Sequence, residues 1–132
     1  YALANNRKNT VFHGSFPVEE TGKFIENADL INNLYGSGSI TLDYAISIKL
    51  YHGLYNRSPI LANKGTYSGK FVEESGIGIA INEVNEDLPN KIFNWYKNLQ
   101  FNEFDYKCRK LLMEIKEDNE KLDRYYKKYI AD

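Results

Sequence analysis

Lys49 sits near the start of an amphipathic stretch, Ala45 to Tyr55, in which Ala45, Ile48, Tyr51 or His52 and Tyr55 recur at helical spacing. A cation there opposes the helix dipole. The cost is small, and it is understandable if Lys49 faces a diphosphate. Glycine and hydroxyl residues collect in three other places: Gly14 with Ser15, Tyr35-Gly36-Ser37-Gly38-Ser39, and Gly65-Thr66-Tyr67-Ser68. Glycine lets a backbone approach a ligand closely. A helix beginning just after such a loop offers unpaired N–H groups to an anion. Tyr44 and Tyr67 are suited to stack on a base or to meet sugar hydroxyls, whereas Tyr51 is read mainly as core. His13 closes a strand-like run where it would touch a base.

Other chemistry is disfavoured. Glu73 and Glu74 are adjacent and point about 100° apart on a helix, which argues against a paired acid/base site. No cluster of His, Cys and carboxylates has metal-ligand spacing, and no Asp-x-Asp element is present. Neither a metal nor a cofactor is expected. Cys108, on an amphipathic helix, reads as core rather than nucleophile. The charged run Asp118 to Lys128 reads as solvated.

These residues need elements to hold them. Thr10 to Gly14 reads as a strand, Val18 to Ala28 as a helix, and Asp29 to Leu34 as a second strand. The helix Ala45 to Tyr55 then leads through Pro59 to a third strand, Pro59 to Asn63. Ser68 to Ser75 is a short helix closed by Gly76, and Gly78 to Asn82 a fourth strand. Asp87 to Leu99 is a helix with Asp87 or Asn85 as its cap. Phe101 to Ile130 is a long charged helix or helix pair whose apolar positions are Phe104, Cys108, Leu111, Leu112 and Ile115. Strands alternating with helices predict an α/β fold, a Rossmann-like three-layer sandwich with a mostly parallel sheet and a long C-terminal helix. In such sheets ligands bind beyond the carboxyl ends of the strands. The loops His13 to Pro17, Tyr35 to Tyr44 and Asn63 to Ser68 fall there.

Composition sets the outer limits. The 132 residues carry 17 basic and 18 acidic side chains, so no strong field steers the chain toward nucleic acid. No apolar run approaches the ~20 residues of a membrane span, and no secretory signal is visible. A single cysteine excludes an internal disulfide and fits a reducing compartment, the cytoplasm. The chain opens on Tyr1 without a Met, and residues 1–132 are expected to be one domain of a longer protein.

Several segments, taken in order, resemble the C-terminal, donor-binding half of GT-B glycosyltransferases of the bacterial capsule, exopolysaccharide and O-antigen type. They are Val11-Phe12-His13-Gly14 with Ala28-Asp29, then Lys49-Leu50-Tyr51 with Pro59-Ile60. Next come Lys64-Gly65-Thr66-Tyr67, Phe71-Val72-Glu73 and Gly76-Ile77-Gly78-Ile79-Ala80. The resemblance covers roughly residues 10 to 100. It implies a nucleotide-sugar donor, a saccharide or lipid-linked acceptor held by an N-terminal domain outside this chain, and work at the inner face of the cell membrane. It places donor contacts at Gly14, Ser37, Gly38, Ser39, Tyr44, Lys49, His52, Thr66 and Tyr67.

One departure stands out. Many retaining members carry two glutamates eight positions apart, the second lying seven residues before the proline, where it binds the donor ribose. Here those places are Tyr44, beside Asp43, and His52. A ring nitrogen of His52 still offers a hydrogen bond to a ribose. The first βα unit of such a domain is also missing, which leaves an open sheet edge suited to a homodimer. Catalytic residues are not assigned. The competing expectation is a non-catalytic α/β interaction domain that uses its C-terminal helix to bind a partner. A flavodoxin-like response regulator is disfavoured, because no aspartate cluster with a downstream lysine appears.

Overall fold

A computed structural model describes residues 9–11, 13–82 and 84–130. Among them three strands form one open parallel sheet in the order β1 (Ile31–Asn33), β2 (Ile60–Asn63), β3 (Gly78–Ile81). Ile31 lies opposite Ile60, and Leu61 opposite Ile79. The central strand β2 is buried at Ile60, Leu61 and Ala62 because both its faces are covered. This is why it reads as an unbroken apolar run rather than an alternation.

Helical crossovers join the parallel strands. Between β1 and β2 lie α2 (Ile40–Tyr44) and α3 (Ile48–Asn56). Ser47 caps α3 by accepting the Lys49 backbone N–H, and the helix stops at Arg57, whose φ of 55° is left-handed. Between β2 and β3 lies α4 (Tyr67–Ser75), capped by the Thr66 hydroxyl and ended by Gly76 in the left-handed region. Leu50 and Leu54 of α3, Val72 of α4 and Ile60 and Ala62 of β2 make the main apolar cluster. Phe104 and Cys108 of α6 (Phe101–Tyr129) complete it. On the opposite face Leu61 and Ile81 pack with Leu88 of α5 (Leu88–Lys97), flanked by Ile79 and Ile92.

The C-terminal helix is one element rather than a pair, about 43 Å long at 1.5 Å per residue. Leu111, Leu112 and Ile115 still touch the core. Beyond them Leu122, Tyr125, Tyr126 and Tyr129 are exposed. An ion-pair chain fastens the buried half: Arg57 Nε lies 2.9 Å from Asp105 Oδ1, and Arg109 Nε 2.7 Å from Oδ2.

The fold corrects several expectations. The strand expected over Thr10 to Gly14 is absent at residues 10, 11, 13 and 14, while Phe12 lies outside the described residues. The sheet therefore has three strands rather than four among the described residues. The helix expected over Val18 to Ala28 is a 3-10 turn at Val18–Glu20 followed by a short α1 (Thr21–Ile25). Neither contains a buried residue, so no packed face extends them. Phe24 meets the rings of Phe16 and His13 at 4.5 and 4.6 Å between centroids. The helix expected from Ala45 begins at Ile48, because Ala45 to Ser47 form the extended break after α2. Asp87 stands at the α5 cap position but makes no side-chain capping bond. No helix among the described residues is long and apolar enough to cross a membrane.

Candidate functional site

At the carboxyl ends of β1 and β2 the backbone opens into a cavity of about 280 Å³. Asn33 ends β1 and Asn63 ends β2. The strand-to-helix turn after β2 is very tight, because a Cβ on Gly69 would lie 2.1 Å from the Asn63 carbonyl oxygen. Only glycine admits that approach, and it brings the start of α4 against the end of β2. Ser47 at the start of α3, together with Thr66 and Ser68 at the start of α4, completes the floor. Tyr35, Thr41 and Leu42 form the outer wall.

Hydrogen bonds cross-link these walls. The Asn63 side-chain oxygen accepts the Gly36 N–H at 2.8 Å. The Thr66 hydroxyl donates to the Asn63 carbonyl at 2.7 Å and accepts the Gly69 N–H at 3.0 Å. The Ser68 hydroxyl donates to the Ala45 carbonyl at 3.2 Å, tying α4 to the end of α2. Asp43 accepts the Gly38 N–H at 2.8 Å and thereby fixes the glycine-serine loop. Helices α3 and α4 both begin beside the cavity, and each brings first-turn amides that its own helix cannot bond.

Lys49 stands at the rim. Its Nζ donates to the Asn32 carbonyl at 3.1 Å and lies 4.9 Å from the centre of the Tyr35 ring. The Tyr35 hydroxyl is 3.5 Å from Ser47 Oγ. Hydrogen bonding to Ser47, then to Lys49, holds the Tyr35 hydroxyl below the usual tyrosine pKa, against a smaller opposing effect of burial. The cavity wall itself contains no charged side chain.

A second depression, about 550 Å³, shares Thr66 and is lined by Tyr44, Tyr67, Lys64 and Lys70. Asp43, Glu73 and Glu74 also line it. Three carboxylates against two lysines make it a poor seat for a diphosphate.

The residues expected at a donor site therefore divide. Thr66 borders both depressions, and Tyr44 and Tyr67 border the second. Ser37, Gly38 and Ser39 form the loop between β1 and α2, where the Ser39 hydroxyl caps α2 by accepting the Leu42 N–H. Lys49 meets the rim through Tyr35. Gly14, Ser37, Gly38, Ser39, Lys49 and His52 line neither depression. Because no strand precedes it, Gly14 is not carried to the sheet edge. The His52 carbonyl accepts the Asn56 side chain within α3. Tyr51, read as core, is half-exposed. Cys108 is fully buried, and burial, aided by Asp105 and opposed by Arg57, pushes its thiol up to about 11. No group of three or more His, Cys, Asp or Glu among the described residues is placed to hold a metal ion.

Sequence reasoning missed Asn33, which is 3 % exposed and whose Oδ1 has no hydrogen-bond partner among the described residues. The available signal was its phase. Asn33 is two residues beyond Ile31 and so points to the same side of β1.

No family model matches this chain. No curated protein and no solved structure is significantly similar to it.

Proposed function

We propose that this chain is the donor-binding domain of a GT-B glycosyltransferase, which moves a sugar from a nucleotide-sugar to a saccharide or lipid-linked acceptor in surface polysaccharide synthesis. In this reading the domain is Rossmann-like and three-layered, with α5 as the layer opposite α3 and α4. The observation that carries the reading is the cavity at the carboxyl ends of β1 and β2, bordered by the first turns of α3 and α4. That is where an open parallel sheet binds ligands. The first-turn amides of α3 and α4 that the Ser47 and Thr66 caps leave untaken stabilise the negative charge that builds on a departing diphosphate. Lys49 adds a cation. Its ammonium has three donors, so it keeps its bond to Asn32 while turning another proton to the ligand. The ordered segments that resemble GT-B enzymes support the same assignment.

The acceptor site and any general base belong to a further domain of the complete enzyme, which works on the cytoplasmic side of the membrane. The isolated chain is then expected to bind donor weakly and to catalyse nothing. The outer edge of β1 is the surface for a homodimer.

The test is ligand-observed NMR with nucleoside diphosphates and their sugars. The expected result is saturable binding by one nucleotide class, weakened about tenfold by Lys49→Ala, as for loss of a hydrogen bond to a charged group. Silence across the panel removes the reading. It then favours the second one, a non-catalytic interaction domain, whose supporting observation is the exposed row Leu122, Tyr125 and Tyr129 on α6. In that case Leu122→Lys abolishes partner association.

A further inference from the structure

Asn33 is the residue of the cavity wall with a buried side-chain atom left unbonded among the described residues. The Asn63 side-chain oxygen is taken by Gly36, the Thr66 hydroxyl by Asn63 and Gly69, the Ser68 hydroxyl by Ala45, and the Ser47 hydroxyl by the Lys49 amide. The Asn33 Oδ1 has no partner and is sealed from bulk water. Its register partner on β2 is Ala62, which has no polar side-chain atom to offer. A buried acceptor left unmade is a net cost to folding, and an aliphatic residue of similar size would avoid it. Its retention at a cavity beside two helix N-termini points to a ligand that completes the bond.

We infer that Asn33 is the specificity-determining residue of this cavity, and that the group it selects is the hydroxyl-bearing glycosyl ring of the donor. The inference rests on the donor-binding reading above. Three observations separate the ring from the rest of a nucleotide-sugar. The cavity wall carries no charged side chain, so the diphosphate stays at the rim beside Lys49. Its volume of about 280 Å³ is at the small end of ligand pockets, with room for one ring and not for a whole nucleotide-sugar. Its few polar groups are hydroxyls and carboxamides set in a mostly apolar wall, which suits a ring with apolar faces and a hydroxyl edge. The final torsion of an asparagine side chain is broad and roughly two-fold. Turning it exchanges the carbonyl and the NH2, so the Asn33 carboxamide presents its oxygen to a ring hydroxyl when the ring enters.

The experiment compares two affinities and one melting temperature in wild type and Asn33→Leu. The probes are the nucleoside diphosphate chosen by the panel and the same diphosphate carrying its sugar, each titrated by calorimetry. The expected result is an unchanged or higher melting temperature without ligand and an unchanged affinity for the diphosphate. The nucleotide-sugar is expected to bind about tenfold more weakly, the scale of one lost hydrogen bond with its partner left unsatisfied. Should Asn33→Leu lower the melting temperature, Asn33→Ala is used, and the ratio of the two affinities remains the readout. An unchanged ratio overturns the role of Asn33 while leaving the donor reading intact. Equal loss of both ligands overturns the assignment to the ring. Wild-type protein that binds neither probe overturns the donor reading, and the inference with it.

Discussion

The apolar cluster under α3, α4 and α6 and the cavity at the strand ends are built from the same elements a few residues apart. Helix α3 gives Ser47 to the cavity and Leu50 and Leu54 to the core, while α4 gives Ser68 and Val72. Strand β1 buries both Ile31 and Asn33. The core is filled by side chains that need nothing but contact. The cavity wall mixes apolar side chains with groups that need hydrogen-bond partners, and among the described residues one buried acceptor there, Asn33 Oδ1, lacks a partner. The difference separates residues held for stability from residues held for recognition. Shrinking a core residue should cost folding and spare binding, whereas changing a cavity residue that carries no cap or tight turn should do the reverse.

The largest expected effect is at Leu54, which is 1 % exposed. Leu54→Ala should cost about 3 kcal/mol of stability, as buried leucine truncations do. Nucleotide affinity should be unchanged at temperatures where the variant stays folded. Cys108 gives an internal readout. A buried thiol with its pKa near 11 should resist alkylation at pH 8, and Leu54→Ala should speed labelling in proportion to the loss of stability. Fast labelling of the native wild type would break the contrast.

Gly69 joins the two regions and should fail in both. Gly69→Ala forces a Cβ onto the Asn63 carbonyl, a backbone atom that cannot swing aside. The expected cost is about 2 kcal/mol, in the range of overpacked sites. A weaker affinity should accompany it, because the Asn63–Thr66 turn must move. Stability loss without any change in affinity would show that this turn does not shape the cavity.

The smallest effect tests the rim. Ser47→Ala removes a helix cap worth about 1 kcal/mol. It also removes the strongest influence that favours the Tyr35 phenolate. The Tyr35 pKa should therefore rise toward its ordinary value, and Lys49→Ala, which removes both a hydrogen bond and a nearby positive charge, should raise it too. A titration of labelled tyrosine followed by NMR reads both, with Tyr35→Phe identifying the signal. A fall in either variant would contradict the geometry of the rim.

Much of the scaffold was legible in the chain. Pro59 to Asn63, Ser68 to Ser75 and Gly78 to Asn82 each matched an observed element to within one residue at either end. Their signals were local: Ile60 to Ala62 are continuously apolar, and Gly76 accepts the left-handed turn. The strand expected over Thr10 to Gly14 failed at residues 10, 11, 13 and 14 because a strand exists only where a neighbouring strand supplies hydrogen bonds, and none among the described residues pairs with them. Helix α2 went unread because its five residues bury no apolar face to give it a period. Among the site residues, Thr66 was legible as part of the glycine turn after β2, and the structure adds that it caps α4, whereas Gly14 was placed by a strand that is absent at residues 10, 11, 13 and 14.

The sequence by itself determined the α/β alternation, the apolar stripe of α6, the buried thiol and the absence of a strong charge. Each of these follows from composition or from a period along one segment. Only the tertiary structure decided that Lys49 bonds the Asn32 carbonyl, that α4 begins against the end of β2, and that Asn33 is buried with an acceptor unmet. The first and the last depend on the pairing of β1 with β2, which brings together residues 29 apart in the chain, and the second on the close approach of Gly69 to the Asn63 carbonyl. Whether a polar side chain finds a partner is a property of that arrangement, and no local pattern encodes it.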